Sequence, residues 1–97
     1  MIHALKIEPF WFEAIYDGTK TFEVRKNDRD FQVGDYLALN EIDDTRENYT
    51  HRYILVQITH ILTDEKYCKE GYAIISFRKM AIVTMEEALR WQKEIRI

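Results

Sequence analysis

Gly18-Thr19-Lys20-Thr21-Phe22-Glu23-Val24-Arg25, followed shortly by Val33-Gly34-Asp35-Tyr36-Leu37-Ala38-Leu39, decides how the rest of this chain is read. Gly18 reads as a helix stop, because helices commonly end on a left-handed residue and glycine adopts that conformation without steric cost. Thr21 to Arg25 then alternates as a strand, with Phe22 and Val24 on one face and Thr21, Glu23 and Arg25 on the other. The apolar pair is expected to face the core. A lysine, a glutamate and an arginine on so short a segment are costly unless they meet solvent, each other or a ligand. Lys20 shares parity with Phe22 and Val24, so it either stands just outside the regular strand or reaches into the mouth of the domain.

Toward the N-terminus, His3 to Ile7 alternates as a short strand, and Pro9 opens a helix at the position where a missing N–H is harmless. Phe10, Trp11, Phe12, Ala14, Ile15 and Tyr16 occupy nearly every side of that helix. Good cover by the rest of the domain is therefore expected, with a base-stacking platform as the alternative use of the aromatics. Toward the C-terminus, Lys26 to Asp30 is a polar turn. Phe31, Val33, Leu37 and Leu39 mark a strand interrupted at Gly34 and entered again at Asp35. Asn40 to His51 reads as a long polar and acidic loop. Tyr53 to Leu62 is rich in Ile, Val, Leu and Tyr and is the clearest strand. Thr63 to Gly71 is a polar connection, and Tyr72 to Arg78 is a further strand. Thr84-Met85-Glu86-Glu87 fits a capping box, and Met85, Ala88, Leu89, Trp91, Gln92 and Ile95 recur at helical spacing. A C-terminal helix over about 84–96 is predicted, lying on the barrel or against a partner. The order of elements gives an α+β fold, mainly β. It is a single domain over 1–97: a small, partly closed barrel over about 2–79 with helices at its ends.

With 97 residues, 46% hydrophobic and 32% charged, the chain has the size and balance of one globular domain. Its single cysteine, Cys68, excludes an intrachain disulfide framework and a cysteine-based zinc site. No apolar run approaches the length of a membrane span, and no signal-peptide pattern opens the chain, so a cytoplasmic protein without membrane contact is expected. The net charge of −3 argues against a general, charge-driven nucleic-acid binder, which would carry a basic excess. It leaves room for a local basic groove. Lys20, Arg25, Lys26 and Arg29 oppose Glu23, Asp28 and Asp30, whereas Glu41 to Glu47 is acidic.

The pattern Gly18-x-Lys20-x-x-Glu23-x-Arg25 with Gly34-Asp35-x-Leu37-x-Leu39 resembles the ASCH domain, a branch of the PUA-like superfamily. The longer string from Lys20 to Asp35, together with the opening His3-Ala4-Leu5-Lys6, is similar to a subgroup known mainly as a domain of unknown function and often phage-borne. The resemblance covers roughly Ile2 to Arg78. It implies a pseudo-barrel of five or six strands with a cleft lined by Lys20, Glu23 and Arg25, and binding of RNA or modified bases. One ASCH subgroup removes acyl groups from N4 of cytidine, using a lysine, a threonine three residues further on and a distant glutamate. Lys20 fits the lysine, but Glu23 stands where that subgroup has threonine.

The residues themselves suit binding. Lys20 and Arg25 can contact phosphate oxygens, Glu23 can accept from a base amino group or hold Arg25, and Lys26, Asn27 and Arg29 can extend the contact. Single-stranded RNA or a modified base suits such a cleft better than a duplex does. The same spacing also describes an ordinary surface ion pair between Glu23 and Arg25, worth about 0–1 kcal/mol. A hydrolase would need Glu23 to activate water while Lys20 stabilises the oxyanion. Tyr49, Thr50 and Arg52 become ligand contacts if the 40–51 loop folds over the cleft. His3, His51 and His60 lack metal-pair spacing, so neither a metal nor a cofactor is expected. A protein-binding adaptor, using the acidic loop or the Trp91 helix, is the remaining class.

Overall fold

Strand β1 (Ile2–Ile7) buries alternate residues, His3, Leu5 and Ile7, in a computed structural model that describes residues 1–83. The C-terminal helix expected over about 84–96 lies outside the described residues. Helix α1 (Pro9–Tyr16) follows with proline in its first turn. It ends through Gly18, whose φ of +84° lets its N–H return to the Ile15 carbonyl at 3.2 Å. The Lys20 N–H then closes on the Ala14 carbonyl at 3.0 Å. Four more strands complete the sheet: β2 (Phe22–Lys26), β3 (Tyr36–Ile42), β4 (Tyr49–Leu62) and β5 (Tyr72–Val83).

The strand order is β1-β3-β4-β5-β2. β1 runs parallel to β3, and the other neighbours are antiparallel. The five strands curl into a half-barrel, the mainly β architecture expected from the sequence. The concave face holds the core, with Leu37, Leu39, Ile54, Val56 and Ile75 sealed from solvent. Phe12 and Ile15 of α1 enter it from one end. Burying side chains of this size contributes about 1.5–3 kcal/mol each, which makes the core the main source of stability.

Several expectations are corrected. Phe22 and Val24 face outward, and Glu23 faces inward at 5% exposure. The reason is the register of β2 on β5. Glu23 pairs with Ile75 and Arg25 with Ala73, and directly opposed residues share a face. Because Ala73 and Ile75 are core residues, the charged side of β2 is the concave side. The helix aromatics are only partly covered: Phe12 is buried, while Phe10, Trp11 and Tyr16 are exposed. Phe31 to Val33 is not strand; β3 begins at Tyr36, after a turn through Gly34 at φ +94°. The long loop is also shorter than read, because β3 and β4 extend into it and leave only residues 43–48 between them. Asp43 holds that turn together by accepting the Thr45 hydroxyl at 2.6 Å and the Asn48 amide at 3.1 Å.

Sheet order places β1 and β2 at opposite edges, and curling brings those edges face to face. Arg25 Nη2 on β2 donates to the Lys6 carbonyl of β1 at 2.6 Å. Arg29, just beyond β2, donates through Nη1 to the Ala4 carbonyl at 3.0 Å. The barrel is thus closed along this seam by two arginine side chains rather than by a ladder of backbone hydrogen bonds. At the other end of β1, His3 Nε2 lies 2.8 Å from Asp35 Oδ2, and Asp35 also meets the N-terminal ammonium at 3.3 Å. These contacts hold the Asp35 carboxyl below its ordinary range, the His3 hydrogen bond most of all. The opening histidine and the Gly34-Asp35 turn form one clamp that fastens β1 beside β3.

Candidate functional site

The seam between β1 and β2 is where the charged motif gathers. Lys20 stands just before β2, outside the regular strand, which settles the parity question. The turn after α1 swings its side chain onto Glu23. Lys20 Nζ donates to Glu23 Oε1 and, at 2.6 Å, to the Phe22 carbonyl. Its ammonium also lies 5.4 Å from the Trp11 ring centre and 5.0 Å from that of Phe22. Arg25 Nε donates to Glu23 Oε2 at 2.7 Å. Both oxygens of one buried carboxylate are therefore occupied by cations, and the arrangement is not the exposed ion pair that the spacing alone describes.

A cavity of about 410 Å³ opens beside this triad. Its lining includes Lys6, Ile7 and Glu8 at the end of β1, Trp11 of α1, and Lys20, Phe22, Val24 and Arg25 at and along β2. Trp11 and Phe22 are 45% and 43% exposed, so flat apolar surface lies next to fixed positive charge. Glu8 is engaged by Arg46 at 2.6 Å, outside the seam. Lys6, Lys26 and Arg29 have no carboxylate partner among the described residues. The seam is locally basic although the whole chain is acidic.

The remaining residues singled out in the sequence fall into three groups. Lys26 and Asn27 are exposed at the far end of β2, where the Asn27 N–H meets the Gly71 carbonyl at 2.9 Å. Arg29 and Tyr49 line a second cavity along the seam. Thr50 and Arg52 lie on strand β4 and turn to Glu41 instead. The Thr50 hydroxyl donates to Glu41 at 2.6 Å, and Arg52 donates through Nε and Nη2 at 2.9 and 2.7 Å. Arg52 also reaches Glu13 of α1 at 2.9 Å and stacks its guanidinium 4.3 Å from the Phe12 ring centre. Burial pushes the Glu41 carboxyl up, but the Arg52 and Thr50 hydrogen bonds outweigh it and leave the group below its ordinary value. The Glu41 hydrogen bond raises Arg52 well above an ordinary arginine, against desolvation. This second buried cluster pins α1 to the sheet.

Lys6, Trp11 and Asn40 were not among the predicted site residues. In the sequence Lys6 stands out only in the opening His3-Ala4-Leu5-Lys6 string, Trp11 reads as core with a base-stacking platform as the alternative, and Asn40 reads as loop. Among the described residues no group of three or more His, Cys, Asp or Glu side chains is placed to hold a metal ion. No helix among them is long and apolar enough to cross a membrane.

The half-barrel fold is similar to that of ZmASCH from Zymomonas mobilis. A solved mutant of that protein superposes with a TM-score of 0.57 at 16% identity, covering 98% of this chain and 79% of that one. An identity so low speaks for the fold alone. Residues 2–77 match the family described as a domain of unknown function, DUF3850, and the chain belongs to that family. It is also 32% identical over 74 residues to an uncharacterized 12.9 kDa protein in the GpA 3′ region of Escherichia phage P2. That match spans 76% of this chain and 65% of the phage protein, so less than two thirds of the relative is covered.

Proposed function

We propose that this is an ASCH-type, PUA-like domain that binds single-stranded RNA or a nucleobase, modified bases included, in the seam between β1 and β2. The observation that carries the reading is the cavity of about 410 Å³ in which partly exposed Trp11 and Phe22 flank the Lys20–Glu23–Arg25 triad. Aromatic and apolar walls take the face of a base, and a fixed guanidinium takes a phosphate. Arg25 suits that role because Glu23 and the Lys6 carbonyl hold its Nε and Nη2, while Nη1 has no partner among the described residues. The guanidinium is pre-positioned, so little conformational freedom is lost on binding.

Binding is favoured over hydrolysis at this site. A general base must be reached by water, and Glu23 is 5% exposed with one lone pair of each oxygen already directed at a cation. Titration of labelled single-stranded RNA and of free nucleotides tests the reading. Arg25→Ala is expected to weaken binding by about 10- to 100-fold, the loss of one charge-assisted contact. Lys20→Ala should weaken it as well, with melting curves showing that both variants remain folded. Unchanged affinity in both variants would remove the proposal.

A further inference from the structure

We infer that the seam carries a second nucleotide site around Tyr49, Asn40, Lys6 and Arg29, so that the preferred ligand is an oligonucleotide spanning both sites rather than one free nucleotide. This rests on the binding reading above and adds the length and path of the ligand. A second cavity, of about 440 Å³, lies along β1 and shares Lys6 and Arg25 with the first. The shared residues are both cations. They stand between the two spaces, where the phosphodiester joining two nucleosides would fall.

The edge of β1 sets the spacing. Arg25 is held on the Lys6 carbonyl and Arg29 on the Ala4 carbonyl. Carbonyls two residues apart on one strand edge are about 7 Å apart. That matches the step between successive phosphates in an extended single strand. Each arginine uses only some of its N–H groups on the protein: Arg25 Nη1 and Arg29 Nη2 have no partner among the described residues. The edge is therefore a two-rung phosphate ladder, with the Lys6 ammonium beside the Arg25 rung.

The second cavity also has the parts needed for a base. Tyr49 is 51% exposed, giving a ring face on which a base can stack, with the Lys6 ammonium 5.8 Å from the ring centre. Asn40 donates its amide nitrogen to the Ala38 carbonyl at 3.0 Å, which orients the side chain and leaves its amide oxygen as an acceptor without a partner among the described residues. An exocyclic amino group is the donor such an acceptor takes. Thr50 and Arg52 contribute nothing here, because Glu41 occupies them.

The test compares binding of 5′-mononucleotides, dinucleotides and tetranucleotides of each base by isothermal titration calorimetry. The wild-type chain should bind the best dinucleotide about tenfold or more tightly than its mononucleotide, the contribution of one further stacked base. In Tyr49→Ala and Arg29→Ala the ratio of dinucleotide to mononucleotide affinity should fall toward one, while Tyr49→Phe keeps it. Arg25→Ala should weaken both ligands. A wild-type ratio near one, or a ratio that Tyr49→Ala leaves intact, overturns the second site while the first stands. If no nucleotide of any length binds, the binding reading fails and the second site falls with it.

Discussion

Replacing Glu23 with alanine removes the carboxylate on which Lys20 and Arg25 converge. Glu23 is 5% exposed, and its oxygens receive Lys20 and, at 2.7 Å, Arg25. Removing one partner of a fully buried ion pair costs about 3–5 kcal/mol, mainly because the other charge is stranded. The stranded groups here are partly wet, their side chains keeping 14% and 25% exposure. Each also keeps a backbone carbonyl, Phe22 for Lys20 and Lys6 for Arg25. The expected loss therefore lies below the fully buried range, at about 2–3 kcal/mol. For a domain of this size that lowers the melting temperature by about 8–24 °C. Urea denaturation followed by circular dichroism measures it, and a double-mutant cycle with Arg25→Ala should return a coupling of about 1 kcal/mol or more. A loss below about 0.5 kcal/mol, the level of a solvated surface pair, would refute the idea that the seam is built around this carboxylate.

Glu41 gives a pH prediction of defined sign. Its folded value lies below the ordinary 4.5, so its contribution is complete above that pH and is lost as pH falls through the folded value. Chemical denaturation of wild type and Glu41→Gln between pH 7 and pH 3 should show the stability gap narrowing only in acid; a gap that widens there would contradict the ion-pair assignment. Gly18→Ala should cost about 1–2 kcal/mol, because φ is +84° and no atom of the described residues beyond its chain neighbours lies within 4 Å of the added Cβ, which leaves backbone strain as the main effect. Equal stability of the two proteins would mean that the helix stop relaxes easily. N4-acetylcytidine should release no acetate above a Glu23→Gln control; turnover that depends on Glu23 would reinstate hydrolysis.

Much of the architecture was legible because local rules agreed with the fold. Pro9 and Gly18 bracket α1, and the alternation of β1 and the apolar run of β4 marked strands that the structure contains. Tyr49 to His51 reads as the end of a polar loop that begins at Asn40. Those residues are strand nonetheless, since Thr50 and Arg52 satisfy a buried glutamate 9 and 11 residues earlier in the chain. No local pattern signals such a partner.

The sequence by itself determined that Lys20, Glu23 and Arg25 lie together on a short segment after a helix stop, since neighbours along a chain remain neighbours in space. It could not say which face of that strand is the inner one. Alternation has two equivalent phases, and the apolar pair Phe22 and Val24 suggested the wrong one. Pairing with Ala73 and Ile75, about fifty residues away in sequence and visible only in the sheet register, turned the charged face inward. Curling of the sheet then set that face against the edge of β1, where the Ala4 and Lys6 carbonyls hold the two arginines. The seam and its two cavities follow from that long-range closure, because a site made between two sheet edges exists only once the strands between them are in place.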